Sequence, residues 1–304
     1  MRLLPTLAAA LLAICTASCS SGAALQRPVA SWNDVVALPA PSVGQRIAYG
    51  SGAKQFGELR LPTGRGPHPV VVLLHGGCWS AEYDLDYMGH LADRLAAAGI
   101  ASWNLEYRGI GDIGGAWPGT FDDVATGAAY VHTLARTFPL DLQRMVLVGH
   151  SAGGQLATWL AAAHHVAPSH AQHALAPLPV RGVVTLAGIV DLRDYASGSG
   201  SCNKAVQPLL GGSAQTVPER YAAASPSALL PIGVPMRMLI GAKDPIVTGE
   251  HNARFAEQAR LQGDDVALEV IEGAGHFDLV MPTGTAAKRV QRAIKDALRS
   301  RRKH

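Results

Sequence analysis

The sequence carries little charge, and what it has is almost balanced. Lys and Arg number 26 and Asp and Glu 23, so the formal net charge is only +3 over 304 residues. No run of Lys and Arg is interleaved with aromatic residues, which argues against a nucleic-acid-binding surface. Hydrophobic residues make up 48% and charged residues 16%, a balance typical of a compact globular protein. The short basic run at 299–304 is interpreted as the solvated end of a terminal helix.

Motifs for cofactors and metals are also missing. No Gly-x-Gly-x-x-Gly follows an early strand with a later acidic partner, so we expect no dinucleotide. The pairs His164-His165 and His170/His173 have no Cys or carboxylate beside them in sequence, and they predict surface histidines rather than a metal site. Internal repeats and a second domain are not evident. We therefore expect a single domain with no metal and no other cofactor.

The first 22 residues have the pattern of an export signal. Arg2 precedes an apolar stretch, Leu3–Cys15, which leads into a series of small residues. The stretch is too short to serve comfortably as a permanent membrane span. The tripeptide Ala17-Ser18-Cys19 leaves two alternatives, which are plain cleavage nearby and lipidation of Cys19 as a membrane anchor. Both predict an exported protein, either in the periplasm or anchored to a membrane.

From residue 45 onward, apolar runs alternate with amphipathic patterns. The first two runs, Gln45–Gly50 and Phe56–Leu61, predict a β-hairpin. Six further runs predict strands: Val70–Leu74, Ala101–Tyr107, Met145–Val148, Val183–Leu186, Met236–Ile240 and Val266–Ile271. Helical patterns lie between and after them: Asp84–Ala98, Phe121–Phe138, Gln155–Ala163, Glu250–Gln262 and Ala286–Arg299. Near-continuous apolar strands separated by helices predict an α/β fold, a mostly parallel sheet with helices on both faces.

Residues 23–43 contain three prolines and no sustained periodicity. They predict a tether that leads from the export signal into the domain. The catalytic domain is therefore expected to span residues 44–304. Within it, Asp191–Ala224 is long and weakly patterned, and is interpreted as an insertion that partly covers the active site.

The strongest chemical motif is Gly149-His150-Ser151-Ala152-Gly153, between a predicted strand and a predicted helix. A serine hydroxyl is a weak nucleophile unless a base takes its proton and the backbone presents it to the substrate. Gly-x-Ser-x-Gly meets the second need with a sharp turn whose glycines avoid side-chain clashes. The helix that follows places its positive end near developing negative charge. Ser151 is therefore the predicted nucleophile, with a structural glycine turn as the alternative.

A second motif, His75-Gly76-Gly77-Cys78-Trp79, follows the predicted strand Val70–Leu74. Acyl transfer needs preorganised donors for the oxyanion, and backbone N–H groups of a glycine-rich loop supply them. Gly77 is the first choice and Gly76 the second, with Ala152 after the nucleophile as the other donor. His75 precedes the nucleophile and is expected to brace the loop.

The acid and the base should follow Ser151 in that order along the chain. Asp244 comes just after one predicted strand and His276 just after the next, so both lie at the sheet edge where open α/β sheets bind ligands. His276 is predicted to accept the Ser151 proton, while Asp244 orients the imidazole. Asp278 and Asp191 are rival carboxylates.

Together these motifs resemble those of the α/β-hydrolase superfamily: His75–Trp79, Glu106-Tyr107-Arg108, Trp117–Asp123, Gly149–Gly154, Asp244 and His276-Phe277. More narrowly, the chain resembles the carboxylesterase-like branch that holds feruloyl and acetyl-xylan esterases and kynurenine formamidase. The resemblance runs from about Gln45 to the C-terminus. It implies cofactor-free hydrolysis of esters or amides through an acyl-enzyme. Cys78 departs from lipase-like relatives, which carry a third glycine there.

Several side chains are expected around such a site. Trp79 is the candidate substrate-binding residue, with core packing as the alternative. Four further aromatic residues lie in or beside the same loops: Tyr83, Tyr107, Trp117 and Phe277. Cys78 and Cys202 favour a disulfide in an oxidising compartment, although two separate buried thiols would also fit.

Three functions compete on these residues. The first is hydrolysis of a small carboxylic ester, and the second is amidase or formamidase activity with the same three residues. The third is a non-catalytic surface lipoprotein that has kept the fold. That reading predicts the loss of a catalytic residue, yet Ser151, Asp244 and His276 are all present. We therefore expect an enzyme that acts on a small-molecule ester or amide.

Overall fold

The computed structural model describes residues 28–166 and 178–300. The predicted export signal with Cys19, the pair His170/His173 and most of the basic end lie outside the described residues. Within those ranges, no helix is long and apolar enough to cross a membrane.

In the part of the chain that the structure describes, eight strands form one sheet in the order β1-β2-β4-β3-β5-β6-β7-β8. Their bounds are β1 Gln45–Ala48, β2 Phe56–Arg60, β3 His68–Leu74, β4 Ala101–Leu105, β5 Leu140–His150, β6 Gly182–Leu186, β7 Met236–Gly241 and β8 Val266–Ile271. The pairs that β1 makes with β2, and β2 with β4, are antiparallel, whereas all the others are parallel. The predicted hairpin and mostly parallel sheet are both confirmed.

The central strands explain why the sheet lies inside the molecule. Residues 70–74 of β3 and 145–150 of β5 are buried without interruption. Consecutive strand residues point to opposite faces, so burial of every residue means that both faces are covered. The described chain has ten helices: α1 Trp32–Val36, α2 Gly89–Ala97, α3 Gly119–Ala129, α4 Val131–Leu134, α5 Ala152–Ala162, α6 Leu192–Ala196, α7 Ser201–Leu210, α8 Pro218–Ala224, α9 Gly249–Leu261 and α10 Gly284–Arg299. Of these, α2, α3, α4, α5, α9 and α10 pack on the strands.

Register brings the two glycine motifs together. Leu74, the last residue of β3, pairs with Gly149 near the end of β5. Because the strands are parallel, the loop that begins at His75 and the turn at Ser151 leave the sheet side by side. The parallel strands β7 and β8 end at the same edge and lie two and three positions along the sheet from β5.

Residues 28–43, the described part of the predicted tether, form a helix and pack against the domain. Helix α1 forms there, capped by the Ser31 hydroxyl and the Asp34 carboxylate. Ala30 and Val35 are buried against the domain. The helix has only five residues, too few for a periodic pattern to reveal, whereas the prolines of the segment are conspicuous in sequence. We call residues 28–43 the N-terminal arm.

The weakly patterned segment 191–224 contains three short helices, α6, α7 and α8. A disulfide joins Cys202, in α7, to Cys78 in the loop after β3, which confirms the predicted bridge. Two predicted helices are shorter or divided in the structure. The pattern at 84–98 becomes a 3₁₀ turn followed by α2, and the one at 121–138 becomes α3 and α4.

Candidate active site

Ser151 lies in a strained turn between β5 and α5. Its φ and ψ are 55° and −119°, a region that a side-chain-bearing residue adopts at a cost of about 1–3 kcal/mol. The Ser151 N–H donates to the Leu186 carbonyl at 2.8 Å, which helps to hold the turn. A Cβ at Gly149 would lie 1.9 Å from the Gly153 carbonyl oxygen, and one at Gly153 would lie 2.1 Å from that of Leu74. The flanking glycines are therefore steric requirements of the turn.

His276 and Asp244 are paired and buried. His276 Nδ1 lies 2.7 Å from Asp244 Oδ2. The other oxygen of that carboxylate, Oδ1, accepts the N–H groups of Ile246 at 2.8 Å and Val247 at 2.9 Å. These contacts hold the carboxylate in one orientation. They leave Nε2 of His276 as the ring nitrogen available for a second partner.

The rival carboxylates have other partners. Asp278 Oδ2 accepts the N–H groups of Ala30 at 3.0 Å and Gly275 at 2.8 Å. Asp191 caps the start of α6. Of the three carboxylates, Asp244 is the one that hydrogen-bonds to the imidazole of His276, so the structure pairs this histidine with the carboxylate that the chain order favours.

Ser151 and His276 line one small cavity, which we call the Ser151 pocket. Its volume is about 130 Å³. The pocket is lined by Trp32, Gly77, Cys78, Tyr83, Tyr87, His150, Ser151, Cys202, Ile246, His276 and Phe277. The disulfide thus forms part of its wall, and the segment 191–224 reaches the site through Cys202. Among the described residues, no group of three or more His, Cys, Asp or Glu side chains could hold a metal ion.

Gly77 and Gly76 differ in their position relative to the pocket. Gly77 lines the pocket with a φ of 100°, and a Cβ there would lie 2.3 Å from Cβ of Tyr83. Gly76 instead donates its N–H to the Tyr87 hydroxyl at 2.5 Å. Because that donor is already engaged, the candidate pair becomes Gly77 and Ala152, the first residue of α5, and Gly76 is corrected to a supporting position.

Tyr87 belongs to a buried hydrogen-bond chain that the sequence motifs do not reveal. Its hydroxyl lies 2.9 Å from His150 Nδ1, and His150 Nε2 lies 3.2 Å from the His276 carbonyl oxygen. A carbonyl only accepts, so Nε2 carries the His150 proton and Nδ1 accepts from Tyr87. Burial, followed by the nearby His276, lowers the pKa of His150 well below its ordinary value, which is consistent with this neutral ring. The chain links the loop of Gly76, the turn of Ser151 and the loop of His276.

Trp79 does not fulfil its predicted substrate-binding role. Its side chain is only 1% exposed, and its indole N–H donates to Gln155 Oε1 at 2.9 Å. The indole therefore packs beneath the loop, and the alternative of core packing is correct. Tyr107 and Trp117 also lie outside the pocket lining.

His75 is buried and stacks on Tyr107 with ring centroids 4.2 Å apart. The Tyr107 hydroxyl donates to the His75 carbonyl at 2.6 Å, and Nδ1 of His75 lies 2.8 Å from the Gly76 carbonyl. These contacts agree with a bracing role for His75 in the loop.

Comparison with known proteins identifies the family of this chain. The sequence profile of the BD-FAE family matches residues 58–259, well over half of the chain. The chain belongs to the BD-FAE family. This membership agrees with the expected resemblance to the carboxylesterase-like branch of the α/β-hydrolases.

Two curated proteins share more limited similarity with this BD-FAE member. A probable isoprenylcysteine alpha-carbonyl methylesterase of Oryza sativa subsp. japonica is 32% identical over 121 residues, 38% of this chain and 27% of that protein. The esterase LipC of Mycobacterium tuberculosis is 26% identical over 274 residues, 84% of this chain and 66% of that protein. The chain thus spans less than two thirds of the length of either relative.

Solved structures support the fold. A truncated carbohydrate esterase from gut microbiota superposes with a TM-score of 0.72 at 17% identity, over 86% of this chain and 99% of that one. Esterase 2 of Thermogutta terrifontis gives 0.67 at 20% identity, over 87% and 96% of the two chains. At these identities the comparison establishes the fold alone, and the predicted α/β-hydrolase fold is confirmed.

Proposed function

We propose that this BD-FAE member is a serine hydrolase that cleaves carboxylic esters through an acyl-enzyme. The observation that carries the proposal is the pairing of His276 with Asp244 at 2.7 Å, at a pocket that Ser151 also lines. The names of the curated relatives, both esterases, point to the same reaction. The substrate class is a small-molecule ester.

In the proposed first half-reaction, His276 Nε2 takes the proton of the Ser151 hydroxyl as the oxygen attacks the ester carbonyl. The carbonyl oxygen becomes an oxyanion, stabilised by the N–H groups of Gly77 and Ala152. The C–O bond to the leaving alcohol then breaks, and His276 returns the proton to that alcohol. The product of this half-reaction is Ser151 esterified by the acyl group.

Water completes the cycle. His276 takes a proton from the water, whose oxygen attacks the acyl carbon, and then protonates the departing Ser151 oxygen. Asp244 holds the imidazole in the tautomer with hydrogen on Nδ1 and stabilises its charged form. Its second oxygen is occupied by two backbone N–H groups, so the carboxylate is held in this orientation without further partners.

A fluorophosphonate label tests the nucleophile directly. We expect one modified residue, Ser151, in the wild-type protein and none in Ser151→Ala. Hydrolysis of nitrophenyl acetate should fall by about 10³–10⁶-fold in Ser151→Ala and by about 10⁴-fold in Asp244→Asn, with folding intact. The exposed Ser199 provides a matched control, and Ser199→Ala should behave as wild type.

The competing activity is tested in the same assay. N-formylkynurenine offers an amide of comparable size beside nitrophenyl acetate and butyrate. If the protein turned over the amide faster than both esters, the proposed activity would be that of an amidase and not of an esterase. Label on a residue other than Ser151 would refute the mechanism itself.

We also propose that the protein is exported. The Cys78–Cys202 disulfide supports this, since such bonds persist in oxidising compartments. Lipidation of Cys19 remains one of the two predicted outcomes of processing. Mass spectrometry of the mature N-terminus after expression in a bacterial host should find a chain shortened near residue 22 or a lipid-modified Cys19. An intact N-terminus on cytoplasmic protein would refute the export proposal.

A further inference from the structure

The N-terminal arm is fastened to the domain at both ends. At its start, the Ala30 N–H donates to Asp278 Oδ2 at 3.0 Å, and the same oxygen accepts the N–H of Gly275, the residue before His276. A Cβ at Gly275 would lie 3.0 Å from Cβ of Val29, so the arm is in close contact with the histidine loop. At its far end, the Ser42 N–H donates to Asp93 Oδ2 at 3.0 Å.

Between these anchors, the arm places Trp32 against the active site. Its ring centroid lies 5.3 Å from that of Tyr83, 5.5 Å from Tyr87 and 5.6 Å from Phe277. The contacts with the two tyrosines are edge-to-face, a favourable arrangement for aromatic pairs. Trp32 therefore forms one wall of the Ser151 pocket. It also precedes residue 58, where the BD-FAE match begins, so this wall comes from outside the matched region.

A second, larger cavity lies behind the same wall, and we call it the outer groove. Its volume is about 360 Å³, and it shares Trp32, Tyr83 and Tyr87 with the Ser151 pocket. Its other walls are apolar on the side of the arm, with Val35, Leu38 and Pro41, and polar on the opposite side, with Glu82, Asp84, Asp86 and His90. The three shared aromatic residues thus separate a small compartment that contains Ser151 from a larger one that does not.

We propose that Trp32 is a specificity-determining residue that restricts this enzyme to esters of short acyl chains. The inference rests on the proposed function and names its substrate class. The Ser151 pocket, at about 130 Å³, is well below the roughly 300–1,000 Å³ of sites that enclose drug-sized ligands. An acyl chain that follows the carbonyl from Gly77 meets Tyr83, which lies against that glycine, and then Trp32 behind it.

Removal of the indole should join the two compartments. In Trp32→Ala, a longer chain gains contact with the apolar side of the outer groove, which the arm forms with Val35, Leu38 and Pro41, whereas acetate reaches no further than before. One methylene in an apolar pocket changes selectivity by about 10-fold or more. We therefore expect the octanoate-to-acetate ratio of kcat/KM to rise at least about 10-fold.

The experiment measures kcat/KM for nitrophenyl acetate, butyrate, octanoate and decanoate in four full-length proteins. These are wild type, Trp32→Ala, Trp32→Phe, and Asn33→Ala, an exposed neighbour on the same helix. Wild type and Asn33→Ala should favour acetate or butyrate. Trp32→Phe should shift the preference less than Trp32→Ala, because a smaller ring still fills part of the wall.

The outcomes distinguish a role of Trp32 in substrate specificity from a role in the fold alone. A shift in chain-length preference confined to the Trp32 variants supports the proposal. An equal loss on all four esters, in Trp32→Ala and also in the milder Trp32→Phe, would overturn it, because Trp32 would then serve only the fold. Thermal melts of each variant identify misfolding. In the event that Trp32→Ala does not fold, the chain-length preference of Trp32→Phe tests the proposal. Absence of hydrolysis in wild type would instead sink the proposed function.

Discussion

The Tyr87 hydroxyl offers the sharpest test of how this site is held together. Tyr87→Phe removes one oxygen and keeps the ring that contacts Trp32. It leaves the Gly76 N–H and His150 Nδ1 without the partner that each contacts at 2.5 Å and 2.9 Å. Both groups are buried, and an unsatisfied buried group costs about 1–3 kcal/mol. If both stay unpaired, the free energy of unfolding should fall by about 2–6 kcal/mol.

Tyr87→Phe should also lower kcat, because the oxyanion loop loses a contact that holds it in position. Gly76 precedes Gly77, so release of its N–H allows the oxyanion loop to move, and a displacement of about 1 Å is enough to cost roughly 100-fold. We expect kcat on nitrophenyl acetate to fall by about 10–100-fold. Since the oxyanion contact is made in the transition state, KM should stay within about 3-fold of wild type.

Tyr83→Phe is the matched control. Tyr83 lines the same pocket, and no described residue hydrogen-bonds to its hydroxyl. It should therefore keep wild-type kcat and stability. Steady-state kinetics and urea denaturation of both variants make the comparison, with the rate of fluorophosphonate labelling as an independent readout. Equal kcat values for the two variants would show that the Tyr87 hydroxyl does not position the loop.

Two further predictions concern stability. The double variant Cys78→Ala, Cys202→Ala removes a cross-link between residues 124 positions apart in sequence. The free energy of unfolding, measured by denaturant titration, should fall by about 2–5 kcal/mol. A decrease below about 1 kcal/mol would contradict this. The pKa of His150 is lowered in the folded state by burial and by His276, so below about pH 6.5 the unfolded chain binds a proton that the folded one does not. Stability should therefore be full above about pH 6.5 and fall at lower pH by up to about 1.4 kcal/mol per unit, a slope that His150→Gln should reduce; identical slopes would refute the assignment.

Much of this protein could be predicted from local sequence. Buried β-branched runs such as Val70–Leu74 predict strands wherever they occur, because burial on both faces demands an apolar residue at every position. The turn around Ser151 is equally local, since its glycines answer clashes between residues only a few positions apart. Ser151, Asp244 and His276 each follow a predicted strand of the parallel sheet, which places all three at one sheet edge.

Other features depended on contacts between segments far apart in the chain. Sequence ranked Gly76 beside Gly77 as an oxyanion donor, but the Tyr87 hydroxyl, delivered by a different segment, engages Gly76. Trp79 was the candidate substrate-binding residue by its place in the motif, but the structure buries it and pairs its indole N–H with Gln155 on α5.

The N-terminal arm shows the physical reason most clearly. Ala30 meets Asp278 across 248 residues of sequence, and no periodicity or motif records such a pairing. A short segment with three prolines has the composition of a linker, and only the packed domain offers the surface that α1 binds. Local sequence therefore determined the strands, the turn at Ser151 and the positions of the three side chains at the strand ends. Tertiary packing decided which amide faces the pocket, which tryptophan lines it and how large the pocket is.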